Sequence, residues 1–532
     1  DGSLSAMQIA SLKVNVPQVF DLVAKGSVRN PLDIKKMKGN VDFDAVLSGP
    51  KTVDRLLGGT GYDIPGLSLK GSAEADRQTY AADFRLLSEA GDAVGNGRVS
   101  LTSESYEADM DIKGLQAGRF LPDMGIGSVT AHITASGAGF NPTKPGAHTL
   151  ANVSVGSAIY KGHDYRNIGL HAELGNGDFK VNLNSPDPDL DLTLDAYGTV
   201  APDDYTFDIR ARINHIDLHA LGLSETLSSG NANIYAQGSA SPERWIYDVD
   251  LKVDNFDWNM PEGYFRLPQG ITASLLSTPV SVNASIQSQG TDLEFSSASG
   301  LKHVVDCFTA VAPMVSKQIK ERHLEVEELQ AALPDFRLDA YASGRGLMHQ
   351  FLTASGMSVD TVYATISNDS LIRASIGMLC LNTGSLRIDT ATLRLDQRGS
   401  LIDYRTHIGN APGTLDEFAQ VNINGYLGGN RASVFLNQQN IQGKTGYRLG
   451  LTAAVMDSLV TVHFSPLKAT IAYLPWTLNA DNHVEYTFAD SRIDANLRAQ
   501  SAESSIMLLT EPRNDGGEDL HVNLKNIHLE DF

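Results

Sequence analysis

The residues of this 532-residue chain best suited to chemistry are three short acidic or glycine-rich stretches and 14 histidines. "GKT" at 443–445 has the end of a phosphate-binding loop, whose backbone N–H groups would cradle a polyphosphate. The first glycine of that loop falls on Gln438, however, and the stretch lies between strands instead of opening a helix. "GTGYDI" at 59–64 lacks the third glycine of a dinucleotide turn. "DPDLDL" spaces Asp187, Asp189 and Asp191 as a calcium loop would. Leu192 replaces its turn glycine, and Gly198 its bidentate glutamate. No G-x-S-x-G or H-E-x-x-H occurs. The histidines are scattered, with nothing around them at metal-ligand or acid–base spacing, and read as solvated or structural. The expectation is no enzyme: no catalytic residue, no cofactor and no metal ligand.

The elements that would have to position such residues are strands. Residues 205–213 put Tyr205, Phe207, Ile209, Ala211 and Ile213 on one face, with Thr206, Asp208, Arg210 and Arg212 on the other. Residues 247–254 set Tyr247, Val249, Leu251 and Val253 against Asp248, Asp250, Lys252 and Asp254. Ala108, Met110 and Ile112 alternate with charges in 106–113, and Tyr447, Leu449 and Leu451 follow the same period in 447–453. Period two with one charged face predicts an antiparallel sheet that is wet on one side and dry on the other. Turn signals such as "SPDPD" (185–189) and "APDD" (201–204) break the runs at the spacing of a meander. Several strands close on Gly: Gly71, Gly137, Gly198, Gly238 and Gly344. Their uneven spacing argues against a β-helix or propeller, and each is expected to permit a bend or tight turn.

One region changes period. In 301–319, Leu301, Val304, Val305, Phe308, Val311, Ala312, Val315 and Ile319 recur at helical spacing, which predicts an amphipathic helix that Pro313 kinks or divides. The charged tract 317–328 completes a helical hairpin, expected to cover an open sheet edge or one mouth. Shorter helices are expected at 17–25, 52–58, 346–355 and 217–228. The chain thus divides into 1–299, a helical insertion at 300–333, and 334–532. Cys307 and Cys380 are expected to be buried and unpaired.

The formal net charge of −21 argues against nucleic acid, whose phosphates would be repelled, and against purely electrostatic attachment to an anionic membrane. No apolar run reaches 18 residues, so no membrane span is read. The chain begins and ends in mid-pattern and reads as an interior segment of something longer. From pattern alone, the dry faces either close on each other as a packed core or remain an open apolar groove. The small side chains among them (Ala108, Ala196, Ala211, Ala236, Ala453, Ala495) leave room for the groove.

A short segment such as "HALGL" (219–223) followed by an alternating strand ending in A-x-G resembles the AsmA-like and TamB superfamily. So does "AYLPWTLNADNHVEY" (472–486), with Pro475, Trp476, Leu478, Asn479, Asp481 and Asn482 as a structural signature. The resemblance implies a β-taco: an elongated antiparallel sheet curled into a U-shaped hydrophobic groove, with a few short amphipathic helices. Its lining would be Ala108, Met110, Ile112, Tyr205, Phe207, Ile209, Ala211, Ile213, Tyr247, Val249, Leu251, Val253, Tyr447, Leu449 and Leu451. It further implies a periplasmic protein of a Gram-negative bacterium, anchored in the inner membrane, that conducts phospholipids by their acyl chains toward the outer membrane. The alternatives are an assembly factor that adds strands to outer-membrane barrels with a TamA-like (Omp85-type) partner, and an extended adhesin or glycan binder. Only three tryptophans, Trp245, Trp258 and Trp476, are present to serve a glycan surface.

Overall fold

The computed structural model describes residues 2–3, 6–52, 65–120, 125–344, 346–384, 386–413, 415–513 and 517–527. They are mostly strand, paired antiparallel throughout, with few helices. Two units are distinguished: Asp1–Glu243 with Val249–Gly270, and Arg244–Asp248 with Ile271–Phe532. No helix among the described residues is long and apolar enough to cross a membrane.

In the first unit, every strand from Ala6–Val16 to Ser229–Ser241 pairs with the strand next in sequence. In the second, the same holds from Ile271–Thr278 to Leu459–Ile471. A meander follows from the sequence because short turns join runs whose alternation already assigns one face to water.

The helical hairpin lies within the second unit as α1 (Leu301–Lys320) and α2 (Val326–Ala332). Pro313 does not divide it: α1 continues through the proline, and the second helix begins only at Val326. Lys317 and Lys320 complement the helix dipole in the last turn. Buried Gln318 closes the hairpin, donating to Glu328 Oε2 at 2.7 Å and accepting from the Glu325 N–H at 3.0 Å. The hairpin sits against strand ends. Phe308 meets Phe336 edge-on at 5.1 Å, Leu324 and Gly429 exchange backbone hydrogen bonds, and the Arg322 guanidinium lies 3.9 Å over the Phe488 ring. A third helix, α3 (Leu347–Ala354), fills the segment expected at 346–355.

Two expected helices are not formed. Residues 17–25 turn and enter the strand Phe20–Arg29, where Phe20, Leu22, Ala24 and Val28 alternate inward and pair with Lys38–Leu47. Residues 217–228 form turns: the Asp217 carboxylate accepts from the N–H groups of His219 and Ala220 at 3.0 and 2.9 Å, and Gly222, at φ +68, stops the coil after one turn. Of the helix expected at 52–58, residues 53–58 lie outside the described residues. The cysteines are free as expected, but Cys307 is half-buried and Cys380 exposed. Cys380 adopts φ +53, a left-handed backbone that turns its side chain out of the ladder.

Three of the strand glycines differ from expectation, whereas Gly344 lies at the turn that ends its strand, as expected. Gly71, Gly137 and Gly198 lie inside paired strands, opposite Phe84, Tyr106 and Phe179 respectively. A Cβ at Gly71 would meet the Asp83 carbonyl and stand 3.0 Å from the Phe43 ring. At Gly198 it would stand 2.8 Å from the Phe179 ring. These glycines let an aromatic ring lie across from the neighbouring strand and leave the ladder unbroken.

Candidate functional site

Because a strand's side chains alternate and antiparallel neighbours are in fixed register, residues on one face line up in rows perpendicular to the strands. In the first unit one row begins at Val41 and passes through Ala73, Ala82, Gly97, Ala108, Ala135, Ala151, Ala172, Val181, Ala196 and Ile209 to Ala236. The row beside it begins at Phe43 and passes through Gly71, Phe84, Gly95, Met110, Ile133, Val153, Leu170, Leu183, Leu194 and Ala211 to Ile234. No polar side chain interrupts either. The opposite face is polar at the matching register: Asp42, Ser72, Asp83, Asn96, Asp109, Thr134.

Each row crosses twelve strands, Lys38–Leu47 to Ser229–Ser241, and at about 4.8 Å per strand runs roughly 50 Å. Two such rows cover on the order of 700 Å², above the largest apolar patch of a typical monomer at about 300–600 Å². The second unit repeats the pattern. A row from Ala284 runs through Phe295, Leu338, Ile366, Ala374, Leu395, Tyr404, Gly425, Val434 and Leu451 to Phe464.

The rows are not sealed. Ala196 is buried, but Phe207, Ile209, Ala211 and Ile213 are half-buried and Tyr205 is 38% exposed. Ala108, Met110, Ile112, Tyr447, Leu449 and Leu451 are half-buried as well. Full burial of an aliphatic side chain yields about 1.5–3 kcal/mol, and up to about a third of that gain remains unrealised at the half-buried positions. Where the rows are built of alanine and glycine, the surface is hollow. Val41, Ala73, Ala82, Val99, Tyr106 and Ala108 help to wall an open concavity of about 600 Å³, within the range of lipid- and drug-sized sites.

The structure therefore brings Ala108, Met110, Ile112 and the Tyr205 to Ile213 set onto one apolar face of the first unit. Tyr447, Leu449 and Leu451 lie on that of the second, opposite Gln438, Leu436 and Val434. Val249, Leu251 and Val253 belong to the first unit and Tyr247 to the second; all four are half-buried and alternate with exposed Asp248, Asp250 and Lys252. Sequence reading missed Ala73, Ala82, Ala135, Ala151 and Ala172, whose small size gives a weak alternation signal, although the same period-two count includes them.

The wet face carries the charge. His171 bridges Asn152 Oδ1 and Glu173 Oε1 at 2.6 and 2.8 Å, and its hydrogen bond holds the Glu173 carboxyl below the ordinary range. Arg337 does the same for Asp339 through a 2.6 Å contact.

The tryptophan stretch is structural. Trp476 is buried with Ala469, Leu478 and Ala499. Buried Asn482 accepts from the Phe464 N–H at 2.7 Å and donates to the Phe464 and Asn479 carbonyls, at 3.2 and 2.8 Å, standing in for a missing piece of ladder. Asn479 accepts from the Arg498 N–H at 2.8 Å, and Asp481 accepts from Asn496 at 2.7 Å. Comparison with protein-family models, curated proteins and solved structures finds no match to this chain.

Proposed function

We infer that this chain is a segment of a lipid conduit, in which phospholipid acyl chains lie on the apolar rows while head groups stay in water. The observation that carries this reading is the uninterrupted, incompletely buried apolar rows across twelve consecutive strands. A soluble protein gains nothing by leaving so much apolar surface unsealed, whereas a sliding acyl chain needs a continuous track without polar stops. The finer form of the reading follows the resemblance to AsmA-like and TamB proteins. The sheet curls into a U-shaped trough, and the full-length protein is anchored in the inner membrane and spans a Gram-negative periplasm toward the outer membrane. No reaction and no cofactor is involved. The test is native mass spectrometry of the purified chain. Phospholipid co-purifying in defined stoichiometry is expected; lipid-free protein that also fails to take up phospholipid from vesicles would reject the conduit.

A second reading is strand augmentation of nascent outer-membrane strands with a TamA-like (Omp85-type) partner. It rests on the antiparallel ladders, in which each strand pairs backbone to backbone with its sequence neighbour, the contact an incoming strand would make. Cross-linking from Val522 to an unfolded barrel peptide, with lipid uptake unaffected, would select it.

A further inference from the structure

We propose that one rim of the first unit binds a divalent transition-metal ion of the zinc class through His163, Asp187 and Asp189. The rim gathers three strand ends: the start of His163–Gly175, the end of Asp178–Asp187 with the turn after it, and the end of Tyr205–Asp217. One ligand atom from each of His163, Asp187 and Asp189 lies within 4.8 Å of the others, and the same holds for Asp189, His215 and Asp217, so Asp189 is shared.

Asp187 follows Val181, Leu183 and Ser185 on the apolar face of its strand, and its side chain is 1% exposed. A buried carboxylate is costly without a countercharge. Among the described residues Asp187 accepts only backbone hydrogen bonds, from the N–H of Arg166 at 2.8 Å and of Asp189 at 2.9 Å. The Arg166 guanidinium is bonded to Asp164 at 2.6 Å and acts on Asp187 only through its more distant charge. The group that faces the Asp187 carboxylate is His163, its side chain 10% exposed.

The imidazole is set up to be a ligand. The Asp217 carboxylate turns the following loop by accepting from the N–H groups of His219 and Ala220, and this brings the Ala220 carbonyl to 3.2 Å from His163 Nδ1. With Nδ1–H donating there, Nε2 carries the lone pair, the arrangement that backbone carbonyls impose on metal-binding histidines. Nε2 is buried, has no hydrogen-bond partner and points at Asp187 Oδ1 from 3.6 Å. Two buried lone pairs face each other and call for a cation between them. Zinc bound at about 2.0–2.2 Å in a tetrahedron separates adjacent ligand atoms by about 3.3–3.5 Å, so the observed spacing needs little adjustment. Asp189, 40% exposed with its Oδ2 3.9 Å from His163 Nδ1, lies on the water side of the cluster, within 4.8 Å of the other ligand atoms, and gives the ion access from water. One nitrogen and carboxylate oxygens select this class over calcium or magnesium. The DPDLDL stretch marks Asp187 and Asp189, but His163 comes from another hairpin, so the sequence does not show the three together.

Untagged protein is freed of metal with EDTA and titrated with ZnCl2 against a chromophoric chelator. About one ion per chain is expected, with His163→Gln and Asp189→Asn each weakening binding more than about 100-fold, since loss of an outer-shell partner alone costs about 10–100-fold. His132→Gln, in the exposed cluster with Asp109 and Asp111, leaves binding unchanged. Circular dichroism checks folding, and half-exposed Asp189 offers the variant least able to disturb it. Zinc bound equally well by Asp189→Asn and His163→Gln, or no zinc bound by folded wild-type protein, overturns the site; the second outcome assigns the space to a proton on His163.

Discussion

Ile209→Asp tests whether the apolar rows are an open track or a core. Ile209 sits between Ala196 and Ala236 and is half-buried. Losing half of its burial costs about 1–1.5 kcal/mol. In lipid-free protein the new carboxylate stays hydrated, so no further penalty arises. A fall in Tm of about 2–6 °C is expected for a unit of this size. With an acyl chain against the row, the carboxylate loses water without gaining a partner, at a cost of several kcal/mol. Taking about 2.7 kcal/mol, phospholipid binding weakens about 100-fold. The assay is differential scanning calorimetry alongside uptake of a fluorescent phospholipid from vesicles, on the same preparations. Asp208→Asn is the control. Its contacts to Arg210 at 3.2 and 3.0 Å lie on the exposed face and are worth under about 1 kcal/mol, so neither readout should move. A closed core would answer differently: 3 kcal/mol or more lost at Ile209, Met110 and Leu183 alike, with Tm falling by about 6–12 °C. That pattern, or unaltered lipid uptake in Ile209→Asp, would refute the argument.

Three further outcomes are expected. Gly198→Ala presses a methyl group into the Thr206 carbonyl and the Phe179 ring and should cost about 2 kcal/mol or more by urea denaturation, whereas Gly146→Ala, with open space around it but φ +86, should cost less. Trp476→Ala should destabilise by about 3–5 kcal/mol, while Asp481→Ala, on the exposed side of the same stretch, should cost little. Burial and the hydrogen bond to Glu417 push the Tyr473 hydroxyl up to about 12. A raised folded value favours the protonated form, so this stabilisation is complete below the unfolded value of about 10 and is lost as pH rises toward 12; Tyr473→Phe should flatten that part of the stability–pH curve.

Much of this was legible in the sequence, and the exceptions have physical causes. The Tyr205 to Ile213 alternation, the i, i+3, i+4 stripe of Leu301–Lys320 and the segment of Leu347–Ala354 became the elements their periods required. Residues 17–25 carry Phe, Leu, Val and Ala in a run too short to separate the two periods, and pairing with Lys38–Leu47 decided for strand. The rows were hidden for a different reason. They exist only through cross-strand register, which a single strand's pattern does not contain, so Ala73, Ala135 and Ala172 looked like filler. The DPDLDL stretch shows Asp187 and Asp189, but His163 enters from the turn one hairpin earlier and only register brings it beside them. The strand glycines were assigned to bends because a lone sequence shows a missing side chain but not the ring that occupies its place.

The next-neighbour pairing from Ala6–Val16 to Ser229–Ser241, and again from Ile271–Thr278 to Leu459–Ile471, has a consequence for how such a protein changes length. A strand needs only its predecessor to complete its ladder, so stability accumulates nearly as a sum of neighbour terms and the contact order stays low. Insertion of one hairpin adds two strands, preserves direction and face, and lengthens every apolar row by two residues, or roughly 10 Å. Within these runs the ladders elsewhere keep their register, because each strand's ladder partners are its neighbours in sequence. The exception is the stretch spanned by α1 and α2, whose contacts at Phe336, Gly429 and Phe488 fix the count of strands between them. Reach can therefore be tuned by whole hairpins outside that stretch, while within it length is locked.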